Sequence, residues 1–209
     1  PGPAHVADDL QEPGRYSSGL PRHVFSHGFL LSRGEKMSKS VGNVVDPLGL
    51  SEAFGVDALR YFLMREVTFG QDGSYSAEAI VNRVNAELAN SFGNLAQRTL
   101  LMIFKNLGGI LPGAGDASED EELLTKVEDA CSELTQRFGQ YGFSAGLEAW
   151  MSAVFACNAY VDAQAPWALR KIDPDRMAGV LGTLVVAVRR LAQAGAPVIP
   201  ESADKLLTL

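Results

Sequence analysis

A short segment that follows a glycine carries two ammonium groups and two hydroxyl groups. Gly34 is followed by Lys36 and Lys39, and Ser38 and Ser40 lie next to the second lysine. Lysines act as mobile point charges toward a polyphosphate, while hydroxyls and backbone N–H groups donate to its oxygens. These residue types also fit a solvated basic turn. The identity of the whole string must therefore decide between a phosphate-binding loop and an ordinary turn.

A second set of polar residues follows one face of a predicted helix. Glu87, Asn90, Asn94 and Arg98 are separated by three, four and four residues, so they lie on one side of an α-helix. Farther along, Trp167 follows a proline near a helix end. An amide and a guanidinium can hydrogen-bond base edges, and an indole can stack on an unpaired base. A hydrated helix face and a buried tryptophan are the simpler interpretations of these positions.

Several strings resemble one family of enzymes. Residues 36–40 read Lys-Met-Ser-Lys-Ser, the signature loop of class I aminoacyl-tRNA synthetases. Residues 27–30 before it, and residues 41–47, 54–63 and 69–75 after it, are similar to the methionyl-tRNA synthetases. Asn94-Leu95-Ala96-Gln97-Arg98 resembles that family's Asn-x-x-x-Arg anticodon reader, and Ala165-Pro166-Trp167 resembles its Ala-Pro-Trp element. The resemblance runs from about residue 20 to residue 209 and is to the C-terminal part of that family.

The resemblance implies that the loop binds ATP as its magnesium complex. Lys39 is the first choice and Lys36 the second for a catalytic residue that stabilises charge on the departing pyrophosphate. A cation that reaches the pyrophosphate only when the loop closes lowers the barrier selectively. The implied ATP-binding residues are Lys36, Met37, Ser38, Lys39 and Ser40.

The resemblance also implies recognition of tRNA(Met) through its CAU anticodon, by Asn94, Arg98, Pro166 and Trp167. The implied reaction is ATP-dependent activation of methionine and its transfer to this tRNA. The sequence contains no His-x-Gly-His motif, which the family carries near the start of its nucleotide-binding domain, and residues 1–18 depart from the family pattern. We therefore expect a piece of a longer protein that forms no aminoacyl-adenylate by itself.

Charge and composition are compatible with a tRNA partner. The formal net charge is −7, but residues 116–133 alone hold eight acidic residues and one basic residue. The remainder sums to zero and can present local basic surfaces. Since no apolar run approaches the ~20 residues of a membrane span, we expect a cytoplasmic protein without membrane contact.

Metal binding is not indicated by the cysteines or histidines. Cys131 and Cys157 form no C-x-x-C pair, and the three histidines lack ligand-like spacing, so the sequence predicts no metal site. His27, next to the loop, is a weaker candidate for lining the nucleotide pocket. Both cysteines are expected to be small apolar residues on helices.

Caps and turns predict the elements around the loop. Residues 24–31 are expected to form a short buried strand that ends at a turn. Asp46 followed by Pro47 predicts the start of a helix, and Gly55 its end. Asp57 is expected to cap the next helix.

Apolar periodicity predicts a helical second half. Apolar residues over 80–103 recur at spacings of four, four, four, three, four and four, which predicts one long amphipathic helix. Ser118 with Glu121 forms a predicted capping box for the next helix. A third helix must stop before Pro166, with Trp150 on its apolar stripe, and residues 173–174 start a fourth.

Together these features predict a mainly α chain, in which a C-terminal helical anticodon-binding bundle follows the tail of a Rossmann-type α/β catalytic domain with the KMSKS loop. The predicted divisions are an irregular lead-in over 1–21, the catalytic tail with a stem-contact region over 22–75, and a truncated helical domain over 76–209. Two alternatives stay open: a synthetase for valine, isoleucine, leucine or cysteine, and a non-catalytic tRNA-binding remnant.

Overall fold

The computed structural model describes residues 28–32, 34–38, 40 and 42–208. It begins with a small mixed sheet in which β1 lies between an antiparallel and a parallel neighbour. The strands are β1 (Leu30–Ser32), β2 (Glu35–Lys36) and β3 (Gly73–Tyr75). The strand predicted over 24–31 starts only at Leu30 within the described residues and is half-buried rather than buried. Residues 24–27 of that prediction lie outside the described part.

Two helices separate β2 from β3, namely α1 (Pro47–Phe54) and α2 (Val56–Glu66). Asp46 caps α1 as predicted, because its carboxylate accepts from the N–H groups of Leu48 and Gly49, each at 3.1 Å. Gly55 ends α1 with φ 85°, a conformation that favours glycine. The prediction that Asp57 caps α2 is wrong. Asp57 lies inside the first turn of α2, and its carboxylate caps the final helix of the chain instead.

A continuous helix over 77–107 carries the first predicted RNA-binding residues. It consists of α3 (Ala77–Arg83), a π-helical segment (Val84–Gly93) and α4 (Asn94–Leu107), and it ends at Gly108 with φ 63°. The sequence predicts this helix but not its π-helical centre. An α-helix advances about 100° per residue, so the twelve residues from Ile80 to Phe92 would overshoot whole turns by about 120°. The wider π turns keep this row of apolar residues facing the core.

The remaining helices form a bundle: α5 (Ser118–Gly139), α6 (Phe143–Gln164), α7 (Pro166–Ile172), α8 (Pro174–Gly195) and α9 (Pro200–Leu207). Asp173 starts α8 as predicted, by accepting from the N–H of Arg176 at 2.9 Å. The capping box predicted at Ser118 is shifted by one residue, since Ala117 is the N-cap and Asp120 accepts from its N–H. The seven-residue α7 is too short to show a periodicity and was not predicted.

Trp150 is at the centre of the core. Its indole N–H donates to Leu191 O at 3.0 Å, and its ring lies 4.9 Å from that of Phe92 and 6.4 Å from that of Tyr61. With 1% of its surface exposed, it confirms the predicted core role. The helix α8 is long and apolar enough to cross a membrane by length and composition. Eleven of its 22 residues are buried in this core, which accounts for its apolar composition.

The helices and the small sheet confirm the predicted mainly α class. Cys131 and Cys157 are buried on helices, as predicted.

Candidate nucleic-acid interface and phosphate-binding loop

The predicted phosphate-binding loop is closed by the side chain of Asn43. Its amide oxygen accepts from the N–H of Ser38 at 2.8 Å, and its amide nitrogen donates to Lys36 O at 3.2 Å. The N–H of Gly42 donates to Ser38 O at 3.1 Å. The turn from β1 into β2 passes through Gly34, whose φ is 82°. The loop is therefore held at its base while its side chains reach the surface.

Within this loop, the Ser38 and Ser40 hydroxyls are 2.7 Å apart and hydrogen-bonded. The ammonium group of Lys36 lies 4.8 Å from the centre of the Phe29 ring, a cation–π contact. Both of these residues are exposed, and Met37 is half-buried. The structure thus brings together the described members of the predicted ATP-binding set. Lys39 and His27 lie outside the described residues.

Asn94 and Arg98 lie one turn apart at the start of α4. The guanidinium carbon of Arg98 is 5.8 Å from the centre of the Trp167 ring on α7. Its Nη2 is 3.6 Å from a carboxylate oxygen of Asp162 on α6. Asn94 is exposed and Arg98 is partly exposed. Three helices therefore contribute to one polar surface that contains an amide, a guanidinium and an indole.

Trp167 is directed to that surface by a corner between α6 and α7. Ala165 has φ 44° and ψ 58°, the left-handed conformation, and Pro166 occupies the first position of α7. Trp167 is 53% exposed, which excludes the interpretation as a buried cap. Pro166 is buried. Of the four predicted anticodon-binding residues, Pro166 shapes the corner while the other three lie at or near the surface.

Glu87 does not belong to this surface, although the sequence placed it on the same helix face. It lies in the π-helical segment with only 8% of its surface exposed. Its carboxylate accepts from the Tyr61 hydroxyl at 2.5 Å and from Arg83 Nη1 at 2.9 Å, and it lies 3.3 Å from Arg65 Nε. Burial, and then the hydrogen bond to Glu87, raise the pKa of Tyr61 far above its usual value. The tyrosine therefore stays protonated and donates.

A second buried network lies behind the corner. Asp120 is fully buried and accepts from Ala117 N–H, from the Tyr160 hydroxyl and from the guanidinium of Arg176. Arg176 Nη2 also donates to Gln164 Oε1 at 2.8 Å. Burial acts to raise the pKa of Asp120, but its hydrogen bonds outweigh burial and lower it.

Sequence reasoning missed both networks, because their members are far apart along the chain. The only available signal was a set of ionisable residues on otherwise apolar helix faces. Over the described residues, no group of three or more His, Cys, Asp or Glu side chains is placed to hold a metal ion.

Two family models match the chain one after the other. Residues 10–100 match the model described as tRNA synthetases class I (M). Residues 111–209 match the model described as the anticodon binding domain of methionyl tRNA ligase. The first match includes the loop and Arg98, and the second includes Trp167.

Curated relatives agree with these matches. The methionine–tRNA ligase of Mesorhizobium japonicum is 53% identical over 191 residues, a match covering 91% of this chain and 37% of the relative. That of Mycobacterium tuberculosis is 50% identical over 195 residues, with coverages of 91% and 38%. The chain therefore spans less than two fifths of the length of these relatives.

Solved structures are similar over the same share of the chain. The Mycobacterium tuberculosis methionyl-tRNA synthetase in complex with methionyl-adenylate superposes with a TM-score of 0.86 at 49% identity, covering 91% of this chain and 38% of that one. The apo form of that enzyme gives a TM-score of 0.82 at 44% identity, with the same coverages. The matches in sequence and in fold show that this chain belongs to the methionyl-tRNA synthetases, and that it joins part of their catalytic domain to their helical anticodon-binding domain.

Proposed function

We propose that this chain supplies the ATP loop and the anticodon-reading surface of a cytoplasmic methionine–tRNA ligase. The reaction is activation of methionine by ATP, as its magnesium complex, and transfer to tRNA(Met) with the anticodon CAU. One observation carries the proposal. Trp167 is distant in sequence from Asn94 and Arg98, yet its ring centre lies 5.8 Å from the Arg98 guanidinium carbon, on a surface whose chemistry suits unpaired bases.

The geometry suits recognition of an anticodon loop. Trp167 is half-exposed, and its free face can stack on a base with a gain of about 1–3 kcal/mol. The Arg98 guanidinium is already held between the indole and Asp162, so little conformational freedom is lost when it hydrogen-bonds a base edge. Asn94 can supply both a donor and an acceptor to a neighbouring base.

The loop has a separate role in the first half-reaction. The ammonium group of Lys36 lies over the exposed ring of Phe29, so a side-chain rotation frees it for a phosphate. Lys39 is the preferred second cation. Both would stabilise negative charge as pyrophosphate leaves. Asn43 holds the loop backbone on either side of Met37, which limits the motion needed for closure.

The anticodon part is tested by measuring binding of this chain to an anticodon stem–loop RNA with CAU and to the same RNA with a changed anticodon. The salt concentration must be identical in both measurements. We expect the CAU form to bind more tightly, and Trp167→Ala to weaken it by about 5- to 150-fold, the equivalent of one lost base stack. Phe29→Ala removes a similarly exposed ring from the catalytic tail and should leave RNA binding unchanged. Equal binding of both RNAs by the unaltered chain would show that the interaction depends on charge alone, and it would refute the anticodon part of the proposal.

The ATP part is tested by ATP–pyrophosphate exchange. We expect none from the 209-residue chain by itself, and measurable exchange by this chain would contradict that expectation. In a protein that joins it to a region with the His-x-Gly-His motif, Lys39→Met and Lys36→Met should slow exchange and leave anticodon binding unchanged. Unaltered exchange in both variants would refute the catalytic role of the loop.

A further inference from the structure

Trp167 follows a corner whose backbone conformation is unfavourable for the alanine that adopts it. The preceding Ala165 is left-handed, with φ 44°, a conformation that strains any residue with a Cβ. It is one of two non-glycine residues with positive φ among the described residues. Strained backbone persists only where the surrounding structure imposes it, and it is concentrated at functional sites. The contacts around Ala165 must therefore supply that constraint.

Beside the backbone bonds of Ala165 itself, the side chain next to it is bound by Arg176, which lies in the first turn of α8. Its Nη2 donates to the side-chain oxygen of Gln164, the residue before the corner, at 2.8 Å. Its guanidinium also donates to Asp120, which in turn accepts the hydroxyl of Tyr160. Asp120 is on α5, and Tyr160 and Gln164 are on α6. The end of α6 is thus fixed to α5 and α8 just where the chain turns.

The other end of α7 is tied to the start of α8. Asp173 follows α7 and precedes α8, and its N–H donates to Leu169 O at 2.8 Å. Its carboxylate accepts from the backbone N–H of Arg176 at 2.9 Å. A helix of seven residues is not stable by itself in water, so its orientation depends on these attachments together with the packing of Leu169 against the core. Trp167 lies in the first turn of α7, so the direction of its side chain depends on the orientation of this helix.

We propose that Arg176, acting through Gln164, is a positioning residue for Trp167. It holds the α6–α7 corner in its strained form, so that the indole faces the anticodon beside Arg98. Arg176 itself contacts no RNA in this scheme. The inference rests on the proposed function, in which Trp167 stacks on an anticodon base.

The first test is Gln164→Leu, which removes the acceptor for Arg176 and keeps a side chain of similar length. Gln164→Glu is the matched control, because it keeps an acceptor oxygen at the same place. We expect Gln164→Leu to weaken CAU stem–loop binding about tenfold and to reduce the preference over the changed anticodon. Gln164→Glu should retain the preference. Acrylamide quenching reports the same change directly, since Trp150 is buried and Trp167 is the accessible indole.

Ala165→Gly gives a sharper test, because stability and recognition should change in opposite directions. Glycine adopts positive φ without strain, so we expect the melting temperature to rise by about 2 °C. The corner then becomes more mobile, and the anticodon preference should fall severalfold. A purely structural role of the corner would predict no loss of preference in a more stable protein.

The outcomes separate the two proposals. If the unaltered chain binds both RNAs equally, the proposed function fails, whatever the variants do. If the unaltered chain prefers CAU, and Gln164→Leu and Ala165→Gly keep that full preference, the positioning role of Arg176 is refuted while the proposed function stands.

Discussion

Replacing Glu87 should destabilise the chain more than replacing any exposed carboxylate. Glu87 connects the π-helical segment to α2 through the Tyr61 hydroxyl and Arg65, and it also pairs with Arg83. All of these groups surround a carboxylate whose side chain is only 10% exposed. The change tested is Glu87→Gln, which keeps the shape and removes the charge.

The magnitude follows from the partners that remain. Removing one member of a buried ion pair costs about 3–5 kcal/mol when the other charge is left unpaired. Here Arg83 keeps Glu66 at 2.6 Å, so only Arg65 loses its carboxylate. We therefore expect Glu87→Ala to lower the free energy of unfolding by about 3 kcal/mol, at the low end of that range. Glu87→Gln retains the Tyr61 hydrogen bond and should cost about 2 kcal/mol, close to one charge-assisted hydrogen bond.

Urea unfolding followed by the fluorescence of Trp150 and by circular dichroism measures these differences. Glu133→Gln is the control, since Glu133 forms an exposed pair with Arg137 at 3.2 Å on α5. Such pairs contribute less than about 1 kcal/mol. If Glu87→Gln and Glu133→Gln have the same small effect, the buried carboxylate contributes no net stability and the reasoning is refuted.

Three further predictions concern other buried or capping groups. The hydrogen bonds of Asp120 lower its pKa in the folded chain. The free energy of unfolding should therefore decrease as the pH falls below about 4, the pKa of an aspartate in the unfolded chain. Urea titrations at a series of pH values should show a smaller decrease for Asp120→Asn, which has no carboxylate to protonate. Burial raises the pKa of Cys131 to about 11 and that of Cys157 to about 12; both thiols should react with an alkylating reagent only as fast as the chain unfolds, and fast labelling of native protein would contradict this. The Asp57 carboxylate accepts from the first N–H groups of α9 at 3.1 and 2.7 Å. Asp57→Ala should therefore lower the free energy of unfolding by about 0.5–2 kcal/mol and speed hydrogen exchange in α9. Unchanged exchange would show that the cap is dispensable.

The sequence predicted those features that depend on neighbours along the chain. Asp46 with Pro47, Gly55 after α1, and Asp173 before α8 mark helix ends in the structure, as local capping chemistry requires. The apolar stripes also placed Trp150 in the core. These patterns depend only on residues within one or two helical turns of each other. They can therefore be recognised without knowledge of the tertiary fold.

The errors came from partners that are distant in sequence. Asp57 looks like an ordinary cap for α2, yet its carboxylate accepts from N–H groups at the start of α9, more than a hundred residues away. Glu87 would share a face with Asn94 if the helix were α throughout. The π-helical segment changes that phase and turns Glu87 inward. The division at residues 75 and 76, and the roles of the individual site residues, stay predictions.

The helix α2 connects the long helix over 77–107 to the last helix, α9. Its first half contacts α9 through the Asp57 cap, and the segment just before α9 through a 2.6 Å bond from Arg60 Nη2 to Pro197 O. Farther along, Tyr61 and Arg65 hold Glu87 in the long helix. These contacts are polar and directional, so they specify an orientation as well as contributing to stability. The helix over 77–107 then extends about 45 Å from the end of β3. Because α2 contacts both the long helix and α9, it fixes the orientation of these two helices relative to each other, and a change in either attachment of α2 should be felt at the other.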